Sequence, residues 1–176
     1  MIDLRDFDEA AALSVFQFLD ADDLREAELV RGRDCSRYGL WADWRAMVPA
    51  HLLSVVAHKT AAFGSPAFAI LALGNTGQSG VAQAALVARD HKKYRRSLAE
   101  FALTIRNEMP RFCLERGINR VEARAWADHP RASAFLTAVG FVLEAEMSGF
   151  GADGAVTFRQ FVWLSPEIQK EASTCA

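Results

Sequence analysis

The residues that could do the most chemistry form a basic run, "HKKYRR", just before a long amphipathic stretch. The run contains His91, Lys92, Lys93, Arg95 and Arg96. At the head of a helix these charges would add to the partial positive charge of the N-terminus, which is locally unfavourable. Free N–H groups and the dipole both favour phosphate there, so a ligand that carries phosphates is one interpretation. The other is a solvated charge run, or a patch that faces a protein or DNA partner.

Other candidate residues are few. Glu144 and Glu146 lie two apart and share one face of a predicted strand, where one could deprotonate an amine. A solvated strand face is the commoner situation for glutamate. Cys113 falls in an apolar helix stripe and is expected to be an inert core residue. No metal site is expected, because no two histidines stand at ligand spacing; they are His51, His58, His91 and His129.

The apolar pattern predicts the elements that position these side chains. A 3.6-residue stripe predicts the long helix over 94–112, with Asp90 as a cap and Pro110 as a kink or a break. The segment 35–60 remains open between helix and strand. The other predicted helices are 9–19, 20–29 and 130–139, and the predicted strands are 2–7, 67–73, 81–89, 119–126, 141–147 and 156–164.

The composition is that of an ordinary soluble domain. The 176 residues, 51% apolar, suggest one domain with a core that needs no disulfide or metal. A net charge of −2 argues against bulk nucleic-acid binding, although a local basic patch stays possible. An odd count of three cysteines at long spacing favours a reducing compartment. The N-terminus has no apolar core of signal-peptide length, and the longest apolar run, over 66–73, is too short to cross a membrane, so an intracellular location is expected.

The order of elements and the stretch "HPRASAFLTAVGF" together resemble the GNAT N-acetyltransferases. The stretch is similar to that superfamily's second motif, with the polar helix start His129, the small Ala132, the pair Phe135–Leu136 and then Gly140–Phe141. The resemblance implies an α/β fold with a GNAT-like mixed central sheet flanked by helices. It implies a single domain over 1–165 and a flexible C-terminal tail over 166–176.

The same resemblance implies where acetyl-CoA would bind. The cofactor would lie in the opening between strand 81–89 and strand 119–126, and an amine would attack its thioester. Backbone groups of Val87, Ala88 and Arg89 would hold the pantetheine. The predicted contacts to the phosphates and the motif are His91, Lys92, Lys93, Arg95, Arg96, Ser97 and His129.

Two features differ from typical members and raise a second hypothesis. No glycine lies between Val81 and Gly117, where a glycine-rich pyrophosphate loop is usual, and Leu136 stands where a tyrosine often protonates the departing thiolate. The chain also resembles phage-encoded GNAT-like proteins, including internal virion proteins. That narrower resemblance extends to an N-terminal acidic run, here Asp22, Asp23, Glu26 and Glu28. It implies a non-catalytic virion-associated protein, located in the host cytoplasm or packaged in the virion, with phage structural proteins as partners.

Overall fold

The fold is a central sheet with helices on both faces, as the sequence predicts. The computed structural model describes residues 1–62, 64–166 and 168. The predicted tail lies outside the described residues, except for Pro166 and Ile168. Along the chain the elements are β1 (Ile2–Asp6), α1 (Glu9–Gln17), α2 (Ala21–Arg31), α3 (Arg37–Met47), a 3-10 turn (Val48–Ala50), β2 (His51–Lys59), β3 (Ala67–Asn75), β4 (Val81–Ala88), α4 (Arg95–Glu115), β5 (Arg120–Trp126), α5 (Ala132–Val139), β6 (Val142–Phe150) and β7 (Val156–Leu164).

The sheet opens at one place. Its seven strands lie in the order β1-β2-β3-β4-β5-β7-β6, and every neighbouring pair is antiparallel except β4 and β5. That parallel pair is in register only where Val81–Gln83 faces Arg120–Glu122. Beyond Gln83 the two strands separate, although β4 continues to Ala88 and β5 to Trp126. The carboxyl-terminal halves of β4 and β5 therefore border a gap in the sheet.

Two apolar layers hold the sheet between the helices. On one face, Ala102 and Cys113 of α4 pack with Val121 of β5. On the other, Phe16 of α1 packs with Ile70 of β3, and partly buried residues of α3 join them. Among the described residues, no helix is both long and apolar enough to cross a membrane.

The structure corrects several local expectations. Helix α4 begins at Arg95, so the residues 91–93 lie in the turn before it and not in its first turn. Pro110 does not divide α4, which continues to Glu115. The open segment 35–60 resolves into α3, the 3-10 turn and β2. Asp8 and Asp20 cap α1 and α2 as predicted.

The predicted corner between α5 and β6 also forms. Helix α5 ends at Gly140, whose φ of 108° is unfavourable for a residue with a Cβ. The Nδ1 atom of His129 accepts hydrogen bonds from the N–H groups of Arg131 (3.2 Å) and Ala132 (2.9 Å) at the start of the helix. The N-cap residue itself is Arg131, so neither of the predicted caps, Asp128 and His129, occupies that position, although His129 accepts these hydrogen bonds from two residues before it.

Candidate functional site

A large cavity occupies the gap between β4 and β5. Its volume is about 1000 Å³, and residues from both faces of the sheet line it. Leu98 and Ile105 of α4 and Phe135 of α5 line it from one face, while Asp23 and Glu26 of α2 line it from the other. The gap therefore connects the α4–α5 side of the sheet with the α2 side.

The backbone N–H and C=O groups along β4 point alternately toward β3 and toward the gap, and this alternation decides which residues offer free backbone groups to the gap. The N–H of Arg89 donates to the carbonyl of Phe68 on β3 at 2.8 Å, so the backbone groups of Arg89 point toward β3. Because alternate residues of a strand direct their N–H and C=O groups to opposite edges, Val87 also faces β3. Ala84, Leu86 and Ala88 then face the gap. Of the three residues predicted to hold pantetheine, Val87, Ala88 and Arg89, only Ala88 has this orientation.

Helix α2 contacts the ends of both strands that border the gap. Oδ2 of Asp23 accepts a hydrogen bond from the N–H of Ala88 at 2.7 Å, and the N–H of Asp20 donates to the carbonyl of Ala88 at 2.9 Å. Oε2 of Glu26 accepts from the N–H of Trp126, the last residue of β5, at 3.1 Å. Both backbone groups of Ala88 are thus engaged, which leaves Ala84 and Leu86 as the open edge.

Two histidines meet at the Asp23 carboxylate. Because Nδ1 of His129 accepts from backbone N–H groups, the proton of its neutral ring is on Nε2, which lies 3.2 Å from Oδ1 of Asp23. Nε2 of His91 lies 3.1 Å from the same oxygen. The two ring centroids are 5.7 Å apart, and both side chains are buried. The histidines are far apart in the sequence, and the fold brings them together across the gap.

The same two histidines, together with Asp22, form the one group of possible metal ligands among the described residues. One ligand atom each from Asp22, His91 and His129 lie within 4.8 Å of one another. A metal needs a free imidazole lone pair, but Nε2 of His129 carries the ring proton and Nδ1 accepts from Ala132. The donor set does not suit a cation, and the absence of a metal site remains the prediction.

Charge within the cluster is set by burial and pairing. Burial alone would raise the pKa of Asp23, but hydrogen bonds from His129 and His91 outweigh it and hold that pKa below its ordinary value. Burial would lower the pKa of His91, yet the Asp23 and Asp20 carboxylates outweigh it and raise that pKa. Asp23 is therefore an anion, and His91 is stabilised as a cation beside it.

Glu26 is the titratable group whose behaviour best suits catalysis. Burial raises its pKa from an ordinary 4.5 to about 7, although the hydrogen bond from the N–H of Trp126 lowers it in part. Asp23 adds a smaller upward contribution. A carboxyl with a pKa near neutrality can accept a proton at physiological pH. The sequence singles out Glu26 only as a member of an acidic run; its spacing of three from Asp23, which puts both on one helix face, was the available signal.

These pKa shifts predict a stability that falls as pH rises. Native Glu26 keeps its proton to about pH 7, whereas the unfolded chain loses it near 4.5, so stability declines across that window. The raised pKa of His91 acts in the same direction above 6.5. Asp23, with its lowered pKa, loses its contribution only below 3.8. Urea unfolding at pH 5 and pH 8 should show the decline, and Glu26→Gln should remove about 2.5 kcal/mol of it.

The control for that measurement is Glu28→Gln, on the same helix. Glu28 forms an ion pair with Arg25 at 3.5 Å, and the pair is partly exposed. Its neutralisation should leave the pH dependence of the wild type unchanged. An equal decline in wild type and Glu26→Gln would show that Glu26 does not titrate as described.

The predicted phosphate contacts are divided between two places. Arg95 lines the large cavity, together with Arg131 at the start of α5. His91 is buried against Asp23, and its N–H donates to Oδ2 of Asp20 at 2.7 Å. Ser97 is buried. Arg89 and Lys93 line a second, separate pocket, whereas Lys92 and Arg96 are exposed to solvent.

The remaining candidates are surface or core residues. Glu144 forms a short ion pair with Arg120, and Glu146 forms one with Arg159 at 3.1 Å. Both glutamates are exposed, which favours the solvated strand face over a catalytic base. Cys113 is fully buried, and burial raises its pKa to about 11, so it is the inert core residue that the sequence predicts.

Solved structures share this fold over almost the whole chain. A spermidine N-acetyltransferase from Vibrio cholerae, in complex with CoA and spermine, has a TM-score of 0.66 at 12% identity, covering 93% of this chain and 95% of its own. An acetyltransferase of the GNAT family from Bacillus anthracis gives 0.65 at 9% identity, over 93% and 94%. The ribosomal-protein-S18-alanine N-acetyltransferase from Escherichia coli gives 0.63 at 15% identity, over 94% and 95%.

The protein therefore has the GNAT acetyltransferase fold, which confirms the predicted fold class. No protein-family profile and no curated protein sequence matches the chain.

Proposed function

We propose that the protein is an N-acyltransferase that moves an acetyl group from acetyl-CoA to an amine. The observation that carries this proposal is the cavity in the gap between β4 and β5, with Glu26 at its α2 side. The neighbouring spermidine N-acetyltransferase of the same fold is a CoA complex, which supports the cofactor class.

The residues around the gap suit an acyl-CoA. The cavity, at about 1000 Å³, has the size of a site for a large ligand. The open backbone edge at Ala84 and Leu86 offers N–H and C=O groups to the amides of a pantetheine arm. Arg95 and Arg131 line the same cavity and provide positive charge for phosphates. Acetyl-CoA would supply a thioester whose carbonyl carbon is open to attack by an amine.

Glu26 is the proposed base. The attacking amine must be neutral, and a carboxylate with a pKa of about 7 can take its proton at and above neutral pH. The new C–N bond forms as the C–S bond breaks, and the departing thiolate needs a proton. Leu136 cannot give one. His91, which lines the cavity and is stabilised in its protonated form by Asp23 and Asp20, is the available acid.

Glu26→Gln should lower kcat by roughly a hundredfold, because positioned proton transfer typically contributes that much. The KM for acetyl-CoA should stay near the wild-type value, since Glu26 lies on the α2 side of the gap. The rate of the wild type should rise with pH through about 7, the pKa of Glu26, and the variant should lose that inflection. Release of free CoA thiol with a panel of amines, spermine and alanine-terminated peptides among them, measures the rate.

Glu28→Gln is the matched control and should retain wild-type kcat. Glu28 lies on α2 and takes no part in lining the cavity. Wild-type turnover in Glu26→Gln, with the pH inflection intact, would rule out Glu26 as the base.

A second candidate is a non-catalytic protein that keeps the fold, such as a phage virion component. This candidate is favoured because backbone N–H groups before α4, which could otherwise bind the phosphates of a cofactor, already donate to aspartate side chains. Asp20 and Asp23 occupy the N–H groups of His91 and Ala88, and Asp90 accepts from the N–H of Lys93 at 2.9 Å. Asp90 itself has a φ of 21°, in a turn where typical members place glycine. Co-sedimentation with purified virions tests this candidate, and absence of the protein from the virions would count against a structural role.

A further inference from the structure

A second pocket lies at the carboxyl end of β4, apart from the large cavity. Its volume is about 580 Å³, and it shares no lining residue with the cavity in the gap. The end of α1, the start of α3 and the β4–α4 turn form its walls. Arg37, Arg89 and Lys93 bring three positive charges to it, against the single carboxylate of Asp90.

The Asp90 carboxylate that shares the pocket forms no ion pair with these cations, and one carboxylate would leave an excess of two positive charges. Within the described ranges 1–62, 64–166 and 168, none of the three forms an ion pair with a carboxylate. Arg37 donates one hydrogen bond, from Nη2 to the carbonyl of Leu19 at 3.4 Å. Arg89 donates from Nη1 to the carbonyl of Ala67 at 3.0 Å, and its guanidinium lies 4.6 Å from the ring centroid of Phe18. Like charges that converge without a partner repel each other, so an anion would stabilise the arrangement.

The two arginines also leave buried donors unsatisfied. The Nε atoms of Arg37 and Arg89 are buried, and neither has a hydrogen-bond acceptor among the described residues. A buried N–H without an acceptor is costly, and its presence in a folded protein calls for an explanation. Both side chains line the pocket, so one bound anion could contact both guanidinium groups and stabilise their charge there.

We infer that this pocket binds a phosphate group. Guanidinium groups match the oxygens of a phosphate in a planar, two-bonded geometry, and an ammonium such as that of Lys93 adds a point charge. A tetrahedral oxyanion can accept from several donors at once, which suits cations that converge from three elements of the fold. The inference does not depend on acetyl transfer, because the pocket is separate from the gap between β4 and β5.

Titration calorimetry with inorganic phosphate, at constant ionic strength set by chloride, tests the inference. The wild type should show saturable binding, and Arg37→Gln and Lys93→Gln should each weaken it about tenfold. Arg33→Gln and Lys59→Gln remove exposed charges outside the pocket and should leave the affinity unchanged. Circular dichroism of each variant establishes that it is folded. Absent saturation in the wild type, or equal weakening in the two control variants, would overturn the inference.

A competition experiment on the same site identifies the kind of molecule that carries the phosphate. CoA and CoA without its 3′-phosphate are used as competitors of inorganic phosphate. If CoA competes and CoA without its 3′-phosphate does not, the pocket binds the 3′-phosphate of a nucleotide that also reaches the large cavity. Undiminished phosphate binding in the presence of both assigns it to a free phosphate or another phosphorylated molecule.

Discussion

Asp23→Asn is expected to lower the free energy of unfolding by roughly 3 kcal/mol, since it breaks a buried, charge-assisted network. The carboxylate accepts from the N–H of Ala88 and from both His91 and His129. An amide has one acceptor oxygen and one donor nitrogen, so one of these N–H groups would face another donor. Urea unfolding at pH 7 measures the loss.

Asp22→Asn provides the matched comparison. Asp22 is the neighbouring residue in the first turn of α2, and no described residue donates a hydrogen bond to its side chain. Its neutralisation removes a favourable interaction with the helix dipole, about 0.5 kcal/mol, and a charge near His91, but no hydrogen bond. If Asp23→Asn cost no more than Asp22→Asn, the network would not hold α2 to the strand ends.

Ala99→Trp is expected to abolish acetyl-CoA binding without unfolding the protein. Ala99 is exposed on α4 and lines the large cavity, so an indole at this position would occupy the space proposed for the pantetheine arm. Because the residue is not part of the core, the thermal stability of the protein without ligand should change little. The affinity for acetyl-CoA should fall at least a hundredfold, about 2.7 kcal/mol, as measured by calorimetry.

Leu103→Trp tests whether this effect is specific to the cavity. Leu103 is on the same helix, is 57% exposed and does not line the cavity. The variant should bind acetyl-CoA as the wild type does. Normal binding in Ala99→Trp would place the ligand somewhere other than the cavity in the gap between β4 and β5.

The fold could be predicted from the sequence because its signals are local. The stripe of α4, the buried run of β3 and the Gly140 corner each follow from neighbouring residues and their spacing. Pro110 was misleading, since α4 accommodates it without ending. The segment that became α3 and β2 could not be assigned, because its short apolar runs fit either a helix or a strand.

The site could be predicted only in outline, because its contacts are distant in sequence. Asp23 meets His91 and His129 from 68 and 106 residues away (91 − 23 and 129 − 23), and nothing in the spacing indicates that they converge. The raised pKa of Glu26 is likewise a product of tertiary burial. The basic run suggested one phosphate site, but the turn before α4 directs its side chains to different places. Arg95 lines the cavity, whereas Lys93 lines the second pocket.

Calorimetric titration with acetyl-CoA tests the central proposal most directly. The wild type should bind with saturable heat, and Arg95→Glu should weaken the affinity at least tenfold, because Arg95 lines the cavity and would then repel the phosphates. Arg96→Glu, which changes an exposed charge on the next residue, should have a smaller effect. The absence of both binding heat and a thermal shift at millimolar acetyl-CoA would contradict the proposal and leave the non-catalytic alternative.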